Sequence, residues 1–175
     1  MRKILVLLFC VGFLAVACAT APVKLQPVAG SAVDFSKHKT LVLVLSVTDG
    51  AEMVNVKNDD LTKTRKYIIE ALNKYYSKFQ IIDDDRDNTG LVLEIRFTKF
   101  IGIGPFTGPK IEAEVSVKSP NGFVATGIVK VSGLSTLYGG DVSYWDGARF
   151  LFGGIGPNRM MKEKFAEKLA KSLPF

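Results

Sequence analysis

Two stretches of strict two-residue alternation do most to restrict what this chain can fold into. From Leu91 to Ile101, Leu91, Leu93, Ile95 and Phe97 alternate with Glu94, Arg96 and Thr98. From Ile111 to Lys118, Ile111, Ala113, Val115 and Val117 alternate with Glu112, Glu114, Ser116 and Lys118. Successive side chains of a strand point to opposite faces, so this period calls for a sheet with one covered face and one wet face. Ser119-Pro120-Asn121-Gly122 is a turn signal and Phe123 to Val131 returns, so the three strands read as an antiparallel meander.

The chain before the meander supplies a strand, a helix and a second strand. Thr40 to Val47, TLVLVLSV, is a continuous apolar and β-branched run with the pattern of a central strand. A polar loop carrying Asp49, Gly50 and Asn58 follows, and Asp59 or Asp60 can cap a helix running to about Lys78. Leu61, Ile68, Leu72, Tyr75 and Phe79 would form its buried stripe, with Lys63, Arg65, Lys66, Lys74 and Lys78 in solvent. Gln80 to Ile82 is a short strand, and this order suggests a crossover with parallel pairing. At the other end, Asn158 can cap a final helix to about Ser172. Met161, Phe165, Leu169 and Leu173 would be buried, while Arg159, Lys162, Lys164, Lys168 and Lys171 point outward. The expected fold is therefore α+β: a two-layer sandwich, with a mixed, mostly antiparallel sheet of about five strands and two helices on one face.

The N-terminus has a different character. Arg2 and Lys3 precede an unbroken apolar run from Ile4 to Leu14, then small residues lead to Cys18, the layout of a bacterial secretory signal peptide. As a helix, the apolar run to Ala17 would be about 21 Å long, short of the roughly 30 Å hydrocarbon core. Residues 1–17 read as the signal, 18–39 as a tether with Pro22, Pro27 and Gly30, and 40–175 as one domain. Fully extended, twenty tether residues would reach about 60 to 70 Å. The cysteines are Cys10 and Cys18, so cleavage before Cys18 leaves no partner for an intramolecular disulfide. The formal charge is +6 and falls by two when Arg2 and Lys3 are lost, an excess that suits an anionic lipid surface or solvated helices. An exported protein of this kind is not expected to bind nucleic acid.

Chemical motifs are sparse. Asp83, Asp85, Asp87 and Glu94 stand at positions 1, 3, 5 and 12 of an EF-hand loop, a weak metal candidate. Position 6 is Asn88 where glycine belongs, and the flanking elements read as strands, so a solvated turn is the better reading. Gly102 to Lys110 lacks the Gly-Lys-Ser/Thr ending and the helix of a phosphate loop, and Gly153-Gly154-Ile155-Gly156 lacks dinucleotide spacing. His38 is the single histidine, which removes serine triads and histidine-based zinc sites within one chain. No catalytic residue and no cofactor is expected, and an enzyme is the least favoured class. The glycine-rich segment from Leu134 to Pro157 carries Tyr138, Tyr144, Trp145, Phe150 and Phe152, which either close the core or serve as a partner contact.

Ala15-Val16-Ala17-Cys18 resembles the lipobox of bacterial lipoproteins, in which the cysteine is joined to diacylglycerol through sulfur and becomes the new N-terminus. It departs from that pattern in placing Leu14 four residues before the cysteine, with Ala15 where leucine is preferred. The alternative is ordinary signal-peptidase cleavage after Ala17 or Ala19. The stretches LVLEIRFTKF, GIG and IEAEVSVKSPNG resemble an uncharacterised family of bacterial envelope lipoproteins. More distantly, the element order is similar to the small α+β domain preceding the periplasmic β-propeller of the Tol translocation system, and to lipoproteins that assist secretion pores. These resemblances imply a lipid attachment at Cys18 and no catalytic residues. Ala19 after the cysteine implies the outer membrane facing the periplasm. Two functions are then expected: a noncatalytic binding or assembly subunit of an envelope complex, with other envelope proteins as partners, or a carrier of a small apolar or lipid ligand between sheet and helices.

Overall fold

The computed structural model describes residues 24–28, 33–82, 90–102, 109–132 and 157–175. The alternating segments form strands β4 (Leu91–Ile101) and β5 (Lys110–Ser119), and the return is β6 (Gly122–Ser132). These three make the antiparallel meander. Upstream lie β1 (Gln26–Pro27), β2 (Thr40–Val54), α1 (Asp60–Tyr75) and β3 (Gln80–Ile82), and the last element is α2 (Pro157–Ser172). The six strands run in the order β1-β6-β5-β4-β2-β3, with β2 parallel to both β3 and β4. The fold is the expected α+β arrangement of a mixed sheet and two helices, widened by one short strand.

The covered face is built as the alternation requires. Leu91, Leu93, Ile95 and Phe97 of β4 and Ile111, Ala113, Val115 and Val117 of β5 are buried in one cluster with Ile68 and Leu72 of α1 and Met161, Phe165 and Leu169 of α2. The Phe97 and Phe165 rings lie 5.7 Å apart between sheet and helix. A second aromatic group closes one end. Phe175 meets Phe35, Tyr76 and Phe79 at 5.0, 5.2 and 5.1 Å, and the Tyr76 hydroxyl donates to Ala170 O at 2.7 Å.

Part of the segment read as a tether belongs to the sheet. Gln26 and Pro27 pair with Thr126 and Ala125, Leu25 is buried, and the Leu25 and Val28 amides donate to Ser172 O and Val124 O, each at 3.0 Å. Two residues are too short a strand to show a period, and this is why the pattern gave no warning. Further along, Phe35–Lys37 forms a 3-10 turn whose Phe35 joins the aromatic group.

The helices depart from expectation where polar groups find partners. The buried stripe of α1 is Asp60, Thr64, Ile68 and Leu72, whereas Leu61 is half-buried and Tyr75 is exposed. Thr64 Oγ1 donates to Asp60 O at 2.7 Å, and the Asp60 carboxylate accepts from the Lys57 amide at 2.8 Å and from Lys162 Nζ. Lys162, expected in solvent, is therefore buried, because its ammonium lies against a buried carboxylate. Arg65 is likewise half-buried and donates to Leu43 O at 3.3 Å. Helix α1 ends at Tyr75, short of Lys78, where the Tyr76 amide closes the last turn on Leu72 O.

Strand β2 outruns its predicted end. Asp49 and Gly50, expected in a loop, lie within it, at a bulge where the register with β4 jumps between Val47 and Glu52 and Gly50 has φ 77°. On its other side β3 stops at Ile82, opposite Val42. From Leu43 onward that edge of β2 has no strand beside it among the described residues.

Candidate functional site

Both helices sit on one face, so the polar half of each alternating strand is left on the other. Its charges are matched across neighbouring strands. Glu52 of β2 meets Lys99 of β4 at 2.5 Å, Glu94 of β4 meets Lys118 of β5 at 2.5 Å, Arg96 meets Glu114 at 3.3 Å, and Glu112 of β5 meets Lys130 of β6 at 3.0 Å. The contact with Lys118, helped by Ser116 Oγ at 3.3 Å from Glu94 Oε2, holds the Glu94 carboxyl below the usual carboxylate range. Glu52 in turn holds the Lys99 ammonium above its ordinary value. Cross-strand pairs of this kind set register and solubility more than affinity.

At the β6 edge the face changes character. Val28, Phe123, Thr126 and Ile128, with Arg96 and Glu114 behind them, border a shallow concavity of about 500 Å³. Phe123 and Ile128 are 50% and 45% exposed, too much for core residues. The Lys118 ammonium stands 4.9 Å over the Phe123 ring, an exposed cation–π contact. The sequence hid this group. In plain alternation Phe123 shares a face with Ala125, Val129 and Val131, but the register shifts so that Lys118 pairs with Phe123 while Val117 pairs with Ala125. Val124 is the extra residue, and Phe123 is carried to the open face beside Lys118.

The sequence-derived candidates divide. Cys18, the acidic residues Asp83, Asp85 and Asp87, and the aromatics Tyr138, Tyr144, Trp145, Phe150 and Phe152 lie outside the described residues. The fourth metal candidate, Glu94, points from β4 onto the open face, where Lys118 and Ser116 occupy its carboxylate. Among the described residues no three His, Cys, Asp or Glu side chains come together as metal ligands. His38 lies beside the 3-10 turn, lining a small surface hollow with Asp34, Lys37 and Asn121.

No family model matches the chain and no curated protein sequence matches it. Solved structures similar to it include an uncharacterised protein at 12% identity and TM-score 0.49, covering 77% of this chain and 90% of that one. A PelC dodecamer from Paraburkholderia phytofirmans is similar at 13% identity and TM-score 0.46, covering 83% and 97%. A minor lipoprotein from Acinetobacter baumannii is similar at 14% identity and TM-score 0.39, covering 77% and 89%. Lipoproteins and uncharacterised proteins thus stand among the distant structural neighbours, and at these scores the likeness assigns no activity to this chain.

Proposed function

We propose that this chain is a cell-envelope lipoprotein, anchored through Cys18 to the outer membrane and facing the periplasm, that works as a noncatalytic binding or assembly subunit of an envelope complex. The observation that carries the reading is the exposed apolar rim of Val28, Phe123 and Ile128 on the side of the sheet that no helix covers among the described residues. An aromatic ring and a β-branched side chain around a shallow concavity, with Arg96 and Glu114 to fix orientation, have the makeup of the apolar centre and polar surround of a protein contact. The carrier reading has less support, because Phe97 and Phe165 fill the space between sheet and helix where a ligand would lie.

Cross-linking in intact cells tests the assembly reading. Phe123→Ser and Ile128→Ser, exposed enough to leave stability nearly unchanged, are expected to abolish a cross-linked envelope partner that the parent chain captures. A folded double variant that still captures it at parental yield overturns the assignment of this rim. Tyr144→Ala and Trp145→Ala in the same assay test the aromatic segment as the contact.

A further inference from the structure

We propose that the open face of the sheet docks on the same face of a second copy of this chain, about a two-fold axis lying across the strands over Ser116 and Thr126. The inference rests on the reading of the Val28, Phe123 and Ile128 rim as a protein contact, and it names the partner. It begins with the register of β5 and β6. Lys118 stands opposite Phe123, Ser116 opposite Thr126 and Glu114 opposite Ile128. Successive residues on one face of a strand are about 7 Å apart, and the bulge at Val124 absorbs the extra residue between Phe123 and Thr126. The open face therefore carries three evenly spaced rungs: a ring with a cation, two small hydroxyl side chains, and an isoleucine with a carboxylate.

Such a pattern is complementary to itself. Half a turn about an axis over the middle rung reverses the order of the rungs in the facing copy. Phe123 then lies over Ile128 of the second copy and Lys118 over its Glu114, and each contact occurs twice, as a two-fold interface requires. The small side chains of Ser116 and Thr126 floor the hollow of about 500 Å³ and leave room for the two rings to lean inward. Glu94, level with Ser116, faces its own copy across about 10 Å, and its charge is met within its own sheet by Lys118 and Ser116. Glu52 with Lys99 and Glu112 with Lys130 are neutral pairs as well, so the face sets up no net repulsion against itself. The adjacent strands β1, β6, β5 and β4 are about 19 Å wide together, and the ten residues of β5 are about 33 Å long. Two such faces cover about 1,200 Å², the lower end of the range for specific interfaces.

The test uses the full chain in intact cells, with one cysteine introduced at a time and a mild oxidant added from outside. Loss of the leader removes Cys10 and acylation blocks Cys18, and the parent chain sets the background. Thr126→Cys, an exposed position beside the axis, is expected to give a disulfide-linked species of twice the chain mass. Its yield should be several-fold that of Asn73→Cys, exposed on α1 in the other layer. Added to Thr126→Cys, Lys118→Glu and Glu114→Lys are each expected to cut the yield several-fold, since each sets like charges against one another across the axis. Co-expressed with distinct tags, the two variants are expected to link to each other at close to the yield of Thr126→Cys, because each supplies the charge the other lacks. No more linkage at position 126 than at position 73, or folded variants that fail to recover when mixed, overturns the second copy as the partner. If Phe123→Ser with Ile128→Ser nevertheless abolishes a cross-linked species of another mass, the rim stands as a protein contact with a different occupant; if it changes no cross-linked species, both readings fall.

Discussion

Lys162 donates to Asp60 between the two helices, joining side chains 102 positions apart in the sequence, both of them buried. Removing one partner leaves the other charge buried without compensation. Lys162→Met is therefore expected to cost about 3 to 5 kcal/mol. Adding Asp60→Asn, which keeps an acceptor for the Lys57 amide, should restore a large part of the loss. Urea denaturation of the two single variants and the double variant measures the coupling directly.

Leu25 tests whether the N-terminal segment is part of the folded unit. Its side chain is buried against Gly127 of β6, where a methyl group on that glycine would stand 2.8 Å from Leu25 Cδ2. Leu25→Ala is expected to destabilise by about 2 to 3 kcal/mol, the lower part of the range for buried leucines, because an edge site can partly collapse. Hydrogen exchange should show the Leu25 and Val28 amides losing protection well before those of β4.

Gly102 follows β4 and donates to Val54 O at 2.8 Å, with the backbone packed so closely that a Cβ would lie 2.3 Å from Asn55 O. That oxygen is main chain and cannot rotate away. Asn55 itself has φ 53°, so the two strand ends are held in a tight crossing. Gly102→Ala is expected to cost about 1 to 3 kcal/mol, read as a lowered midpoint in thermal unfolding.

The Glu94–Lys118 pair gives a pH signature. A carboxyl held below its ordinary range by an ammonium favours the folded state above that range, and the contribution is lost as pH falls through the folded-state value. Lys118→Met should therefore be less stable than the parent at neutral pH, by under about 1 kcal/mol for a partly exposed pair, and the gap should close in acid. A carbon-detected titration of the Glu94 carboxyl should show its midpoint moving up in the variant.

The layers were legible because they rest on period. Alternation in β4 and β5 and four-residue spacing in α2 put Leu93, Val115, Phe165 and Leu169 on the faces where the structure has them. What escaped depends on register and on distant pairing. Phe123 changes face at a bulge, Lys162 is drawn inward by a carboxylate 102 positions away, and Leu25 is held by a two-residue ladder. None of these has a local signal, since each is decided by which residue of another element stands opposite. The apolar rim was missed for the same reason, while of the acidic metal candidates the described residues include Glu94 alone, paired with Lys118.

Where β3 ends at Ile82, the neighbouring strand continues with no strand beside its outer hydrogen-bonding groups among the described residues, and this has a consequence for how the chain folds among its own copies. An uncovered edge is a template for self-association, most of all in crowded, half-folded populations. Arg65 places a guanidinium on Leu43 O, the first carbonyl past the end of β3, and the bulge from Val47 to Glu52 twists the rest out of line. The two features act as a stop to strand growth. A chain lacking Arg65 should fold to the same shape yet aggregate faster from denaturant, its defect lying in assembly with its own copies during folding and not in the stability of the finished domain.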